Sequence, residues 1–178
     1  MAVVPTYASP NIGNYYIGRG IVSIKVQGES EFSDAGNCTQ CEVTVKPTIL
    51  PHFSSRVGTR FKDFTAVTEI EATMMCSLEE FTARNLAFAL LGIPQESGVV
   101  SIDMFAQPQY YAAMQFVGTN TVGPQWSLEM PLVQLSPQKA ISLIAQGSGT
   151  WGTIDLQCDV LKDPVTGQFC IATASDFT

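Results

Sequence analysis

Apolar and polar residues alternate one by one along several stretches of this chain, and a period of two dictates β-strands with one buried face. Over residues 20–27, Val22, Ile24 and Val26 share one side while Ser23, Lys25 and Gln27 share the other. Over 41–46, Cys41, Val43 and Val45 alternate with Glu42, Thr44 and Lys46. A longer run, 64–77, sets Ala66, Ile70, Ala72, Met74 and Cys76 against Thr65, Glu69, Glu71 and Thr73, with Val67 and Thr68 breaking the rule. In a strand pattern over 153–161, Ile154, Leu156 and Cys158 alternate with Thr153, Asp155, Gln157 and Asp159. Further strand patterns cover 99–105, 110–117, 127–135, 139–144 and 168–172, and the segment Asp163-Pro164-Val165-Thr166-Gly167 reads as a hairpin turn.

One helical pattern interrupts the strands. Ser77 with Glu80 three residues on has the form of a capping box. Leu78, Phe81, Leu86, Phe88, Leu90 and Leu91 then recur near a 3.6 period, and Gly92 and Pro94 end the pattern. Residues 47–63 hold two prolines, Gly58, Arg56, Arg60, Lys62 and the apolar Phe53 and Phe61, and read as a long functional loop. Residues 1–14, rich in Pro, Gly, Ser and Asn, read as an extended arm. The expectation is a mainly β single domain over 15–178: a β-sandwich of two packed antiparallel sheets with one flanking α-helix.

Composition narrows what such a domain does. Of 178 residues only 14% are charged, while 46% are apolar. So low a charge fraction points to surface covered by other copies of the chain. The net charge is −7 and no basic run occurs, which argues against a site that grips phosphates. The opening residues lack the basic start and apolar stretch of a signal peptide, and no apolar run is long enough to span a bilayer. These features predict a cytoplasmic product that does not insert in a membrane. An odd count of five cysteines then predicts reduced thiols.

Catalytic and ligand signatures are weak. Cys38-Thr39-Gln40-Cys41 has the spacing of half a zinc site, but the other thiols lie singly in sequence and His52 is the sole histidine. No Gly-x-Ser-x-Gly elbow accompanies that histidine, and Gly147-Ser148-Gly149 lacks the lysine and helix of a phosphate loop. Glu79 and Glu80 read as first-turn acids favoured by a helix dipole. No enzyme activity, metal or cofactor is expected.

The succession Asn14-Tyr15-Tyr16-Ile17-Gly18-Arg19-Gly20, Asp34-Ala35-Gly36-Asn37, His52-Phe53-Ser54-Ser55-Arg56, Leu78-Glu79-Glu80-Phe81-Thr82, Asn85-Leu86-Ala87 and Ala89-Leu90-Leu91-Gly92 resembles the major tail tube proteins of long-tailed bacteriophages. The resemblance covers roughly the first half of the chain; the second half matches only as a run of strands. It implies a virion protein made in the bacterial cytoplasm. Hexameric rings would join their inner sheets into one barrel, stack into a tail tube, and meet other tail proteins at its ends. The extra immunoglobulin-like domain that some relatives carry is not expected here. DNA would pass through without tight binding.

Three residue sets follow as expectations. An acidic or neutral polar lining avoids trapping DNA, and the polar strand faces offer Glu42, Thr44, Glu69, Glu71, Asp155, Gln157 and Asp159 as lumen candidates. Lys46 is the awkward member of that face, expected at a ring boundary. His52, Phe53, Arg56, Arg60 and Phe61 are candidates for ring stacking, in a loop that orders on assembly. Phe81, Leu86, Phe88 and Leu90 are candidates for packing on a sheet and between subunits. Two alternatives remain open: a ligand-binding β-barrel with a pocket lined by Trp126, Trp151, Tyr110 and Tyr111, and the tube protein of a contractile injection system.

Overall fold

The computed structural model describes residues 12–56, 58–97, 99–136, 141 and 151–175. Most of the expected N-terminal arm lies outside them. So does the expected strand 139–144, except Ile141, which packs against the core.

The chain is mainly β, and among the described residues its strand pairs are all antiparallel. In chain order they are β1 (Gly20–Val26), β2 (Ser33–Asp34), β3 (Cys38–Ser54), β4 (Phe61–Leu78), β5 (Ile93–Ser97), β6 (Val99–Asp103), β7 (Tyr110–Gly118), β8 (Gln125–Leu135), β9 (Ile154–Val160) and β10 (Ile171–Ser175). Eight of them form one open sheet in the order β2-β1-β7-β8-β9-β4-β3, with β10 also on β8; β5 and β6 form a separate hairpin. One helix, α1 (Ala83–Leu90), follows β4. No helix among the described residues is long and apolar enough to cross a membrane.

The alternation seen in sequence builds the core. Val22 and Ile24 of β1, Met114 of β7, Met130 and Val133 of β8, Ile154, Leu156 and Cys158 of β9, and Met74, Cys76 and Leu78 of β4 are buried in one cluster. Strand β8 is where the sheet changes partner. Its first half holds β10 through Glu129, and its end holds β9 from Val133. Between them the β7 register jumps from Met130 to Val133, leaving Pro131 and Leu132 opposite Ala113. Proline has no amide proton to donate, so a bulge is where a strand interior tolerates it.

Helix α1 covers the core side of the sheet against β9. It buries Asn85, Ala87, Phe88 and Ala89, and the Phe88 ring meets Tyr110 edge-on at 5.4 Å. The helix begins five residues later than the sequence pattern suggests. Ser77 and Leu78 are the last, buried residues of β4, and the N-cap is Thr82, whose hydroxyl accepts the Asn85 amide at 3.1 Å. Glu79 and Glu80 therefore precede the helix and hold the turn that follows β2. The Glu80 carboxylate accepts the Asn37 amide at 3.0 Å, and the Glu79 carboxylate accepts from the Asn37 side chain. Gly36 sits there at φ 86°, where a Cβ would strike that same Glu80 carboxylate. Buried Asn85 completes the junction by donating to the carbonyls of Ala35 and Glu80 at 2.8 and 3.0 Å.

Two further expectations are corrected. The turn at 163–167 forms, with Asp163 accepting the Gly167 amide at 2.8 Å, but β9 pairs with β4 and β8 while β10 pairs with β8. It is a link between strands that do not pair with each other, not a hairpin. Residues 47–63 are not a long loop. Residues 47–54 continue β3 and 61–63 begin β4, so only 55–60 connect the strands.

Candidate functional site

The prolines that suggested a loop sit in an edge strand. Pro47 and Pro51 are an even number of residues apart, so their nitrogens face the same side of β3, and one facing the free edge removes no ladder bond. The result is a ribbon of 17 residues in β3 against 18 in β4. Strand β9 accompanies β4 only from Thr73 to Leu78. Beyond that, among the described residues, Phe61–Ala72 has β3 as its sheet neighbour alone, and the pair runs on as a two-stranded arm.

Two bulges shape the arm. The β3–β4 register steps from Thr48 opposite Glu69 to Ile49 opposite Val67, which leaves Thr68 extra. This is why Val67 and Thr68 break the alternation: the strand changes phase between them. The second step leaves Asp63 extra, and its carboxylate meets His52 Nδ1 at 2.6 Å. Beside it the Arg60 guanidinium lies over the Phe53 ring at 4.7 Å.

The register fixes the arm's two faces. The side continuous with the core carries Val43, Val45, Pro47, Ile49, Pro51 and Phe53 on β3, and Ala72, Ile70 and Val67 on β4. Inside the body this side is buried at Met74 and Cys76; on the arm Val45, Ile49, Val67 and Ile70 are each more than half exposed. Past the first bulge the opposite side turns apolar as well, with Leu50 and Phe64 exposed by 62% and 63%. Among the described residues nothing pairs with the outer edge of β3. Long, apolar, unpaired edges are what soluble proteins otherwise blunt.

All of the lumen candidates fall on one face. Cα pairing aligns Thr44 with Thr73 and Asp159, Glu42 with Met75 and Gln157, and Gln40 with Ser77 and Asp155. Glu71 and Glu69 extend the same face outward, opposite Lys46 and Thr48. Lys46 thus stands across from an acid of its own chain. Glu42, Glu69 and Glu71 are exposed. Asp155 and Asp159 are half-buried and accept hydrogen bonds from Ser77 and Ser136, so they also fasten β9 to its neighbours.

The stacking candidates also come together, at the arm's tip: His52 and Phe53 end β3, Phe61 opens β4, and Arg56 and Arg60 lie in the connection. The helix candidates separate. Phe88 is buried, Leu86 and Leu90 are half-buried, and Phe81, which precedes the helix, is 43% exposed. The aromatic set proposed to line a pocket does not converge. Tyr110 is buried against Phe88, Tyr111 lines a groove with Pro131 and Leu161, Trp126 lines a cleft with Thr173, and Trp151 is 81% exposed.

Sequence spacing missed one cluster. Cys76 does not lie apart from the Cys-x-x-Cys pair: it is the Cα partner of Cys41, and their sulfurs are 3.6 Å apart. Strand pairing across a 35-residue gap made this contact, and spacing alone carries no sign of it.

Residues 15–98 match the model of a family described as "Protein of unknown function UCP028589". The matched stretch runs from before β1 to the end of β5 and includes the arm, the cysteine cluster and α1. No similar protein with a curated description was found.

Proposed function

We propose that this chain is a self-assembling structural subunit, and that its assembly is a stacked hollow tube of the bacteriophage-tail type. The observation that carries the reading is the arm, whose edge is unpaired and whose apolar side chains stay exposed among the described residues. Desolvating such surface is favourable by roughly 25 cal/mol per Å² of apolar area. A neighbouring copy offers the simplest cover, and closing sheets from several copies into a shared barrel removes the free edge. In this reading the subunit folds as a two-layer sandwich. Six copies form a ring through two unlike faces, and arm tips bridge stacked rings.

The polar face then lines the lumen. Glu42, Glu69, Glu71, Asp155 and Asp159 stand there against Lys46, a balance that repels a DNA backbone weakly over about 8 Å at physiological salt. Purified protein examined by size-exclusion chromatography and negative-stain microscopy tests the assembly. Rings or tubes are expected; a monodisperse monomer at high concentration would overturn it. Replacing Glu69 and Glu71 together by Lys tests the lumen. Tubes containing the double variant should release DNA more slowly at low salt, and unchanged release would remove both residues from the lining.

A further inference from the structure

We propose that Cys38, Cys41 and Cys76 form a thiol–disulfide exchange site at the root of the arm, acting on low-molecular-weight disulfides such as oxidised glutathione. The geometry divides the labour. A cleft of about 190 Å³ is lined by Cys38 and Cys41 together with Tyr16, Arg19, Gly20 and Phe116. Cys76 lies behind them and is 1% exposed, so a reagent from solvent meets the two cleft thiols first. Cys76 is the direct cross-strand neighbour of Cys41, sulfur to sulfur at 3.6 Å. Arg19 on the cleft wall offers a cation for the carboxylates of a glutathione half.

The environment suits Cys38 to attack. As a neutral thiol it donates to the Gln40 carbonyl at 3.0 Å. As a thiolate it accepts from the Cys76 thiol, and with the backbone around Gln40 and Ser77 this outweighs desolvation and pulls it down to about 7. Cys76 is pushed up because its proton serves Cys38 and Cys41, and because it is buried. An attacking thiol near ambient pH is the most effective one.

The exchange balances without a metal or cofactor. The Cys38 thiolate attacks one sulfur of the disulfide, forms a mixed disulfide, and releases one small thiolate that takes up a proton. Capping Cys38 removes one of the two sulfurs that the Cys76 proton serves, Cys41 being the other. Cys76 then loses that proton, attacks Cys38 sulfur, and expels the second small thiol. Cys41 attacks Cys76 in turn and frees Cys38, leaving a Cys41–Cys76 bridge between β3 and β4. Two protein thiols are oxidised and one small disulfide is reduced to two thiols.

The test treats the full chain with oxidised glutathione at pH 7, quenches with acid, and maps the peptides by mass spectrometry. An internal disulfide containing Cys76 should form about tenfold faster than glutathione attaches to the exposed Cys170, whose thiol is held above its ordinary value by partial desolvation. Dithiothreitol should reverse it. Cys38→Ser should slow the internal bridge about tenfold. Cys76→Ser should trap glutathione on a cleft cysteine. If the wild-type chain forms no Cys76 disulfide, or forms it no faster than Cys170 is modified, the proposal fails. That comparison within the wild type does not depend on either variant folding.

Discussion

The two halves of the β3–β4 hairpin share one alternating sequence style and meet opposite fates. In the inner half, Met74, Cys76 and Leu78 enter the core beneath α1, flanked by β9. In the outer half, Val45, Ile49, Val67 and Ile70 continue the same face, and each stays more than half exposed. The difference lies in neighbours, not in strand propensity. A strand with a packed face gains stability from burial, whereas an isolated two-stranded ribbon is marginal in water and needs a third layer or strand. Among the described residues, the outer half is therefore the part of the molecule whose apolar side chains stay open to solvent.

The sharpest break of this comparison is excision. Lys46 and Glu71 are Cα partners, so replacing residues 47–70 with a two-residue Asn-Gly turn closes the hairpin at its root. The shortened chain should unfold cooperatively with its core intact and should form no tubes. Tube formation by that variant would show that the arm is not an assembly element. Next comes Phe88→Ala, in the buried half of the contrast, which should lower stability by about 3–5 kcal/mol in denaturant unfolding. A smaller loss of about 1 kcal/mol is expected for Thr82→Ala, which removes the helix cap. The smallest effect belongs to Phe64→Ala on the arm. It should change monomer stability by no more than about 0.5 kcal/mol, while slowing assembly. A loss like that of Phe88 would mean Phe64 is already covered within the subunit.

Much of the body was legible from alternation alone. Strands β1, β7 and β9 lie within a residue or two of their sequence-derived limits, and the lumen candidates share one face because period-two reasoning assigns faces directly. The arm was hidden by Pro47 and Pro51, which mark loops in most contexts but are harmless on a free edge. Its one visible trace was the phase break at Val67 and Thr68. The helix start was misplaced because Ser77 and Glu80 imitate a capping box. Leu78, fully buried in β4, and the use of the Glu80 carboxylate by Asn37 claim both ends of that imitation. Strand β5 carries Ile93-Pro94-Gln95-Glu96-Ser97, which has no alternation to detect. The Cys41–Cys76 contact depends on register between distant strands, and register emerges only from the paired fold.

Amide hydrogen exchange, compared between isolated subunits and assembled particles, tests the central claim most directly. Backbone amides on the outer edge of β3 and along residues 61–72 should exchange rapidly in the subunit and become strongly protected on assembly, while those of β7 and β9 stay protected in both. Arm amides that exchange as fast in the particle as in the free subunit would contradict the account.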